Sequence, residues 1–499
     1  GLSNYEYTNI TTDATYGLDL FKGSFAIDDP NLKMKAVGLA NLKAATDSIS
    51  IQIQVDTAMI ASLGLDDKLN FFSGTLDIDS RGIKIDDIQG IAKFKDLKVD
   101  YEGRYLDIGD FFIQSLFAGG TRTLSLNSDY IVAAASGQFN LEQMAADLQI
   151  LFAQYRGIVL NEEQPMADLT QNFSETYNLD LNVRMINMNP LIQLVEPGFS
   201  ISRNTILEGA FYQTAENTIF NFFSSIDTLS YQEKTAYGTN LDFNTSKLIN
   251  SEDILASFYV FSKKQELNKT LEFTNLGFEA IWNENQMDLD FSLDQDSTQS
   301  AARIQANAVF SAENTKLTFD PSSLKVLNRE WKFDSLNSIT LTPDGVNFKN
   351  VKVFNQNQFI ALEGKIGELE SNQLNLTIAN VNIDLLNTLL PQDFEGSANG
   401  KFTFEQVNTN PLIAGNLNMS DFSINKFPVG DIKADLNMGP EEIQVSLTNT
   451  SNGNKSIEVD GKIGIADQSL DMTARLDQAN LIIFEPFLSN YISDLGGTV

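Results

Sequence analysis

Paired carboxylates are the residues in this chain whose types and spacing could do chemistry. Asp66-Asp67, Asp86-Asp87, Glu162-Glu163 and Glu441-Glu442 each set two acids side by side. Gathered in one cleft, such acids share acid and base work on a glycosidic bond or ligate calcium. Each pair falls where the pattern places a turn or a strand end, in a chain with 66 acidic residues. Solvated turns account for them, because a functional carboxylate needs a pocket that perturbs it. No run follows the D-x-[DN]-x-[DN]-G order of a calcium loop.

The chain has no histidine and no cysteine. The commonest general base and the commonest transition-metal ligand are therefore missing, and Ser-His-Asp, Cys-His and His-metal chemistry are excluded within it. Gly119-Gly120 and Gly496-Gly497 lack the spacing of a phosphate cradle and read as turn glycines. Sequons at Asn9, Asn172, Asn244, Asn268, Asn375, Asn418 and Asn454 follow from an asparagine-rich composition. A non-enzyme is expected, with no catalytic residues, cofactor or metal. With 34 basic against 66 acidic residues, a formal charge of -32 disfavours nucleic acid and anionic headgroups as partners.

Strands are the elements that must carry most of this chain. In Ser48–Asp56, Ile49, Ile51, Ile53 and Val55 alternate with polar residues, the period-two signature of a half-exposed strand. Leu289, Phe291 and Leu293 alternate with acids in Met287–Asp294, and Leu374, Leu376 and Ile378 repeat the pattern. Thr57–Leu65 reads as a short helix ending at a glycine. Between Phe71 and Leu126 short strands punctuated by turns are expected, with Asp79-Ser80-Arg81 connecting a hairpin. Gly345–Val353 and Glu442–Val445 read as further arms of the same kind. Leu141, Met144, Ala145, Leu148, Leu151 and Phe152 keep a helical period after Asn140, a reasonable cap.

The chain also repeats itself. Gly364-Lys365-Ile366-Gly367 recurs as Gly461-Lys462-Ile463-Gly464, and each copy leads through an alternating strand into an apolar run. Four approximate strand-then-helix modules end near Leu65, Pro197, Pro391 and Leu495. Repeats that cannot bury their faces alone imply a stacked array. The organisation expected is groove repeats over 1–136, a helix-containing insertion and strand-helix module over 137–200, groove repeats over 201–360, and C-terminal repeats over 361–499. The register of 200–340 stays open at this level.

Two readings of the apolar faces stand. They pack against each other as a core, or they line an open groove for acyl chains. Moving a methylene out of water is worth ~0.8 kcal/mol, so extracting a two-tailed lipid of about thirty methylenes costs more than ~20 kcal/mol unless an apolar lining receives it. Strands stacked ~4.8 Å apart would make a trough of roughly 200 Å from a chain of this length.

The two C-terminal modules resemble the TamB family of translocation and assembly module proteins, which belongs with the AsmA-like, repeating β-groove lipid-transfer proteins. Ala479-Asn480-Leu481, Phe484-Glu485-Pro486-Phe487-Leu488 and Leu495-Gly496-Gly497 carry the resemblance. The earlier copy agrees at Ala379-Asn380-Val381, Leu389-Leu390-Pro391 and Gly396–Gly400, and Pro411–Leu417 is similar to the family's P-x-I-x-G-x-L continuation. The abundance of asparagine suggests a Bacteroidota-type member.

The resemblance implies a mainly β fold: an elongated, open repeating β-sheet groove, or β-taco, with short interspersed helices. It implies a non-enzymatic role in phospholipid transport between inner and outer membranes, supporting outer-membrane biogenesis. Protein secretion or scaffolding of outer-membrane protein assembly with a barrel partner is the alternative. The expected place is the periplasm of a Gram-negative bacterium, attached to the inner membrane through a segment outside this chain, which reads as an internal fragment. Ile49, Ile51, Ile53, Val55, Leu289, Phe291, Leu293, Leu374, Leu376 and Ile378 would face acyl chains. Asn480, Phe484, Pro486, Phe487, Leu488, Gly496 and Gly497 would be structural, the helix at Phe484–Leu488 plugging or bracing the groove.

Overall fold

A computed structural model describes residues 5–43, 47–82, 86–160, 176–248 and 253–477 apart from positions 368, 370, 391, 408, 452 and 466, together with residues 479 and 497. Those residues form 31 strands, two α-helices and two short 3-10 turns, so the fold is mainly β. Contacts group the chain into two units, residues 1–153 with 165–265 and residues 154–164 with 266–499. Among the described residues no helix is long and apolar enough to cross a membrane.

Each unit is an antiparallel sheet in which a strand usually pairs with the one that follows it. In the first unit Ile10–Gly17 pairs with Leu20–Asp29, which pairs with Leu32–Asn41, which pairs with Ser48–Ala58. In the second unit the meander from Gln373–Asn382 to Leu470–Leu476 is unbroken. Tight turns make this possible. Leu18-Asp19, Glu102-Gly103, Gly119-Gly120, Leu327-Asn328 and Asn425-Lys426 each have both central residues at positive φ. That is the type I′ geometry whose twist matches the flanking strands.

A helix α1 (Leu141–Leu160) separates Ile131–Gln138 from its partner Tyr177–Met185. A second, α2 (Asn189–Val195), follows that partner directly, and a 3-10 turn, Ile383–Thr388, follows Gln373–Asn382 in the same way. These are the strand-then-helix modules legible near Pro197 and Pro391.

The structure corrects three expectations. Thr57–Leu65 is not a helix: the strand continues to Ala58, and only a turn follows, with the Leu63 N–H on the Met59 carbonyl at 3.0 Å. Asp79-Ser80-Arg81 is not a hairpin connection but the end of Leu69–Arg81. The strands between 69 and 118 are long rather than short, at 13, 13 and 15 residues. Register shifts near Gly74, Asp96 and Gly109 slip the phase of the alternation, which in sequence imitates a turn. Asn480, Phe484, Pro486, Phe487, Leu488 and Gly496 lie outside the described residues, as do Glu162-Glu163; Gly497 is exposed, at φ +108°.

Candidate functional site: an open apolar sheet face

Residues opposite each other in a sheet point to the same face, so the register shows how far an apolar surface runs. In the first unit Ile51 pairs with Ile78, Ile78 with Ala92, Ala92 with Ile113 and Ile113 with Leu126. The row goes on through Ala133 and Val183 to Leu207. Beside it run Ala36, Ile53, Leu76, Phe94 and Phe111, the two phenylalanines stacked at 4.2 Å. Val55 meets Met34 on the same face. Ile49 marks its margin, because its partner is Ser80, a buried serine.

The second unit carries a longer row. Met287, Ala308, Leu317, Ile339, Phe348, Gly364 and Leu374 follow one another across successive pairings. Leu374 continues it through Phe404, Ile413, Met438, Ile443 and Ile463 to Leu470. At ~4.8 Å per strand, twelve steps make a surface about 58 Å long. Leu289, Phe291 and Leu293 stand on this face with Met287, and Leu376 and Ile378 with Leu374. Leu376 heads a parallel row through Phe402, Gly415, Leu436, Val445 and Gly461 to Met472. Two of its glycines are there for space: a side chain on Gly415 would run into the Phe402 ring, and one on Gly461 would come within 2.6 Å of the Met472 Cγ.

Among the described residues little of this face carries a second layer; α1 reaches it at Tyr177 and Phe220 in the first unit and at Trp282, the partner of Met287, in the second, where Ala306, Ala308 and Phe310 are also buried. Of the ten residues the alternation singles out, Leu374 is buried and the other nine are half-buried. Ile113 is 40% exposed and Leu470 66%. In a sandwich, opposed inner faces seal one another; here lateral neighbours supply most of the cover. The carboxylates lie on the other face. Asp288 accepts from Asn307 at 2.7 Å, Asp290 from Gln305 at 3.0 Å, and Asp294 from the Arg303 guanidinium at 2.6 Å. The repeated lysine also points there: Lys365 pairs with Asp344 at 2.5 Å and Lys462 with Glu442 at 2.9 Å. These contacts hold the Asp344 and Glu442 carboxyls below their ordinary values, through the Lys365 hydrogen bond at Asp344 and the Gln444 and Lys462 hydrogen bonds at Glu442.

The acid pairs divide. Asp66 accepts the N–H groups of Lys68 and Leu69, a solvated turn as expected. Asp86 is different: it accepts the Leu141 N–H at the start of α1 at 2.7 Å and faces the buried Arg122 guanidinium at 3.5 Å. The helix start is thus held by Asp86 as well as by Asn140, whose carbonyl takes the Met144 N–H. Burial lowers the Arg122 pKa, and Asp86 opposes that shift. Among the described residues no three acidic side chains come together as a metal-holding group.

Sequence patterning missed two features. The first is a recurring bulge at Asp96, Asn275, Asn350, Asn380 and Asp421, each at φ near +50° beside a register shift. In four of them the bulged N–H finds a side-chain oxygen on the next strand: Asp110, Glu363, Asn399 and Asp431. Such bulges bend a sheet. Beside the Asp421 bulge, Ile424, Val429 and Ile432 pack with Phe394, Met419, Phe422 and Leu447 into a true core. The second is a line of aromatics in the first unit, Tyr177, Phe211, Phe220, Phe243 and Phe258, one per strand with ring centroids 5.3–6.2 Å apart.

Two recesses open on the polar face instead, one of about 810 Å³ around Thr15, Ser24, Ser50 and Gln52, the other of about 750 Å³ around Asn416, Asp435, Asp460 and Lys462. A twisted sheet is a saddle, hollow on both faces along different diagonals. In the second recess Lys401 and Lys462 offset Asp435, Asp460 and Asp471, so no field of one sign is built there. No protein-family model matches the chain, and no curated protein matches it.

Proposed function

We propose that the chain is a non-enzymatic conduit whose apolar sheet face carries phospholipid acyl chains. The supporting observation is the row from Met287 to Leu470, in which Ala308 and Leu374 are buried and the other members half-buried or exposed. With the Leu374–Ile378 width of about 13 Å, it outlines a partly covered apolar strip with a footprint of roughly 750 Å², a long contiguous surface of the kind that marks an apolar binding site. Surface of that size marks a site for an apolar partner. An acyl chain suits a strip that is long, continuous and free of hydrogen-bonding groups, since each methylene received is worth ~0.8 kcal/mol.

A role like that of the TamB family, in the periplasm between inner and outer membranes and with a barrel partner, is the setting in which such a conduit would work. A photo-crosslinker at Leu289 or Phe291 is expected to yield phospholipid adducts when the protein is incubated with vesicles. Adducts with protein alone would overturn the reading and favour a scaffold for outer-membrane proteins.

A further inference from the structure

The second unit's apolar face is not open evenly across its width. On the strands from Gln373–Asn382 to Asn454–Gly464 the register gives two rows on that face, one near each margin of the sheet. Val381, Ala398, Met419, Ile432, Asn449 and Ile457 follow one another along the first, and all but the half-buried Met419 are exposed by 9% or less. Phe404, Ile413, Met438, Ile443 and Ile463 follow one another along the second, every one of them half-buried. One margin is sealed and the other is open.

Local structure accounts for the difference. The bulges at Asn380 and Asp421 lie at the sealed margin, where they bend the strands, and Ile424, Val429 and Ile432 pack there with Phe394 and Phe422. The 3-10 turn Ile383–Thr388 adds the buried Ile383. At the open margin the strands are joined by residues 406–411, 439–441 and 465–469. These connections contain Glu441 and Asp467, both exposed, and no lysine or arginine. Lys462, beside them on the polar face, is already paired with Glu442 at 2.9 Å. At the sealed margin bases accompany the acids: Lys426 lies in the turn after Leu412–Ile424, and Arg329 pairs with Asp384 at 2.6 Å.

A phospholipid lying on this face must keep its headgroup in water, and the open margin is the unsealed edge beside its tails. We propose that headgroups leave along residues 406–411, 439–441 and 465–469, and that this margin selects phospholipids whose headgroup ends in an ammonium over those with a net negative charge. The proposal rests on the conduit reading and adds a headgroup class to it. Glu441 and Asp467 meet an ammonium as an exposed ion pair, and they repel a headgroup whose only charge is the phosphate. Exposed pairs are individually weak, so the selection is a bias of a few-fold rather than exclusion.

Vesicles holding equal amounts of phosphatidylethanolamine and phosphatidylglycerol with the same acyl chains present both headgroups at one surface, so repulsion between the whole protein and the membrane acts on both alike. A photo-crosslinker at Ile443 then gives the ratio of the two adducts by mass. Expected is a roughly threefold excess of the ethanolamine lipid, reduced toward parity by Glu441→Gln with Asp467→Asn and reversed by Glu441→Lys with Asp467→Lys. Glu216→Lys with Glu233→Lys, an equal change of net charge at exposed acids of the first unit, is expected to leave the ratio where it was. Parity in the parent protein, a ratio that the open-margin substitutions do not move, or equal shifts from both lysine pairs would overturn the headgroup selection and leave the conduit standing. No lipid adduct of either kind would overturn the conduit itself, and the Gln and Asn substitutions keep the test open should the lysine pair unfold.

Discussion

Asp29 concentrates four hydrogen bonds on one carboxylate: the Tyr5 hydroxyl at 2.5 Å, the Thr8 N–H and hydroxyl at 2.9 and 2.8 Å, and the Asn31 N–H at 2.9 Å. The Tyr5 hydrogen bond, more than any other contact, holds its carboxyl well below the ordinary value of 3.8. A depressed value means the anion stabilises the fold. That contribution is fully present above the ordinary value and is lost as pH falls through the folded one. The Thr8 and Asn31 amide shifts are therefore expected to stay constant in an NMR titration from pH 7 to below 4, and Tyr5→Phe to move their transition up toward 3.8. A second comparison separates sealed from open positions. Phe211→Ala, under α1, is expected to cost about 3–5 kcal/mol in denaturant unfolding, while Ile443→Ala on the open face costs less than about 2. Equal losses would mean that something covers Ile443. At this scale the alternation in the sequence was informative about facing: Ile49, Ile51, Ile53 and Val55 do share a side. It was silent about Asp86 and Asp147, because their partners lie 36 and 30 residues away.

Strands were legible wherever the period-two pattern ran unbroken, as in Met287–Asp294. They were misread where a bulge changed the phase. Asn380 illustrates the cause: at φ +50° it adds a residue to its strand, its N–H goes to Asn399, and the pairing moves from Ile378 to Val381. No local rule distinguishes that asparagine from a turn asparagine, since both exploit the same tolerance for left-handed backbone. Asn380→Val is expected to destabilise the second unit by about 1–3 kcal/mol, and Asn380→Gly by less than about 1, in chemical denaturation. Hairpins were hidden for a related reason. Leu18-Asp19 and Leu327-Asn328 make type I′ turns without the Asn-Gly or Asp-Gly signal, so their position is set by the strands on either side.

At the scale of the chain, the apolar rows and most of the charge lie on opposite faces, with Val37 and Ile281 exposed on the charged side. With a formal charge of -32, the protein should repel anionic vesicles at low salt. Lipid adducts from anionic vesicles are expected to rise as salt is added, and those from zwitterionic vesicles to stay level. The period-two alternation and the Gly-Lys-Ile-Gly repeat were enough to give a mainly β array, but not to tell a packed core from an open face, because both need the same alternation. Only the register and the exposure of each row separate them. The neighbour-to-neighbour pairing has one more consequence. From Gln373 to Leu476 each strand finds its partner in the segment just synthesised, across connections of two to eleven residues, so ordering needs no segment still to come. Such a chain can form as it is delivered, one hairpin at a time. An added or lost hairpin would alter the length of the array while leaving its cross-section unchanged.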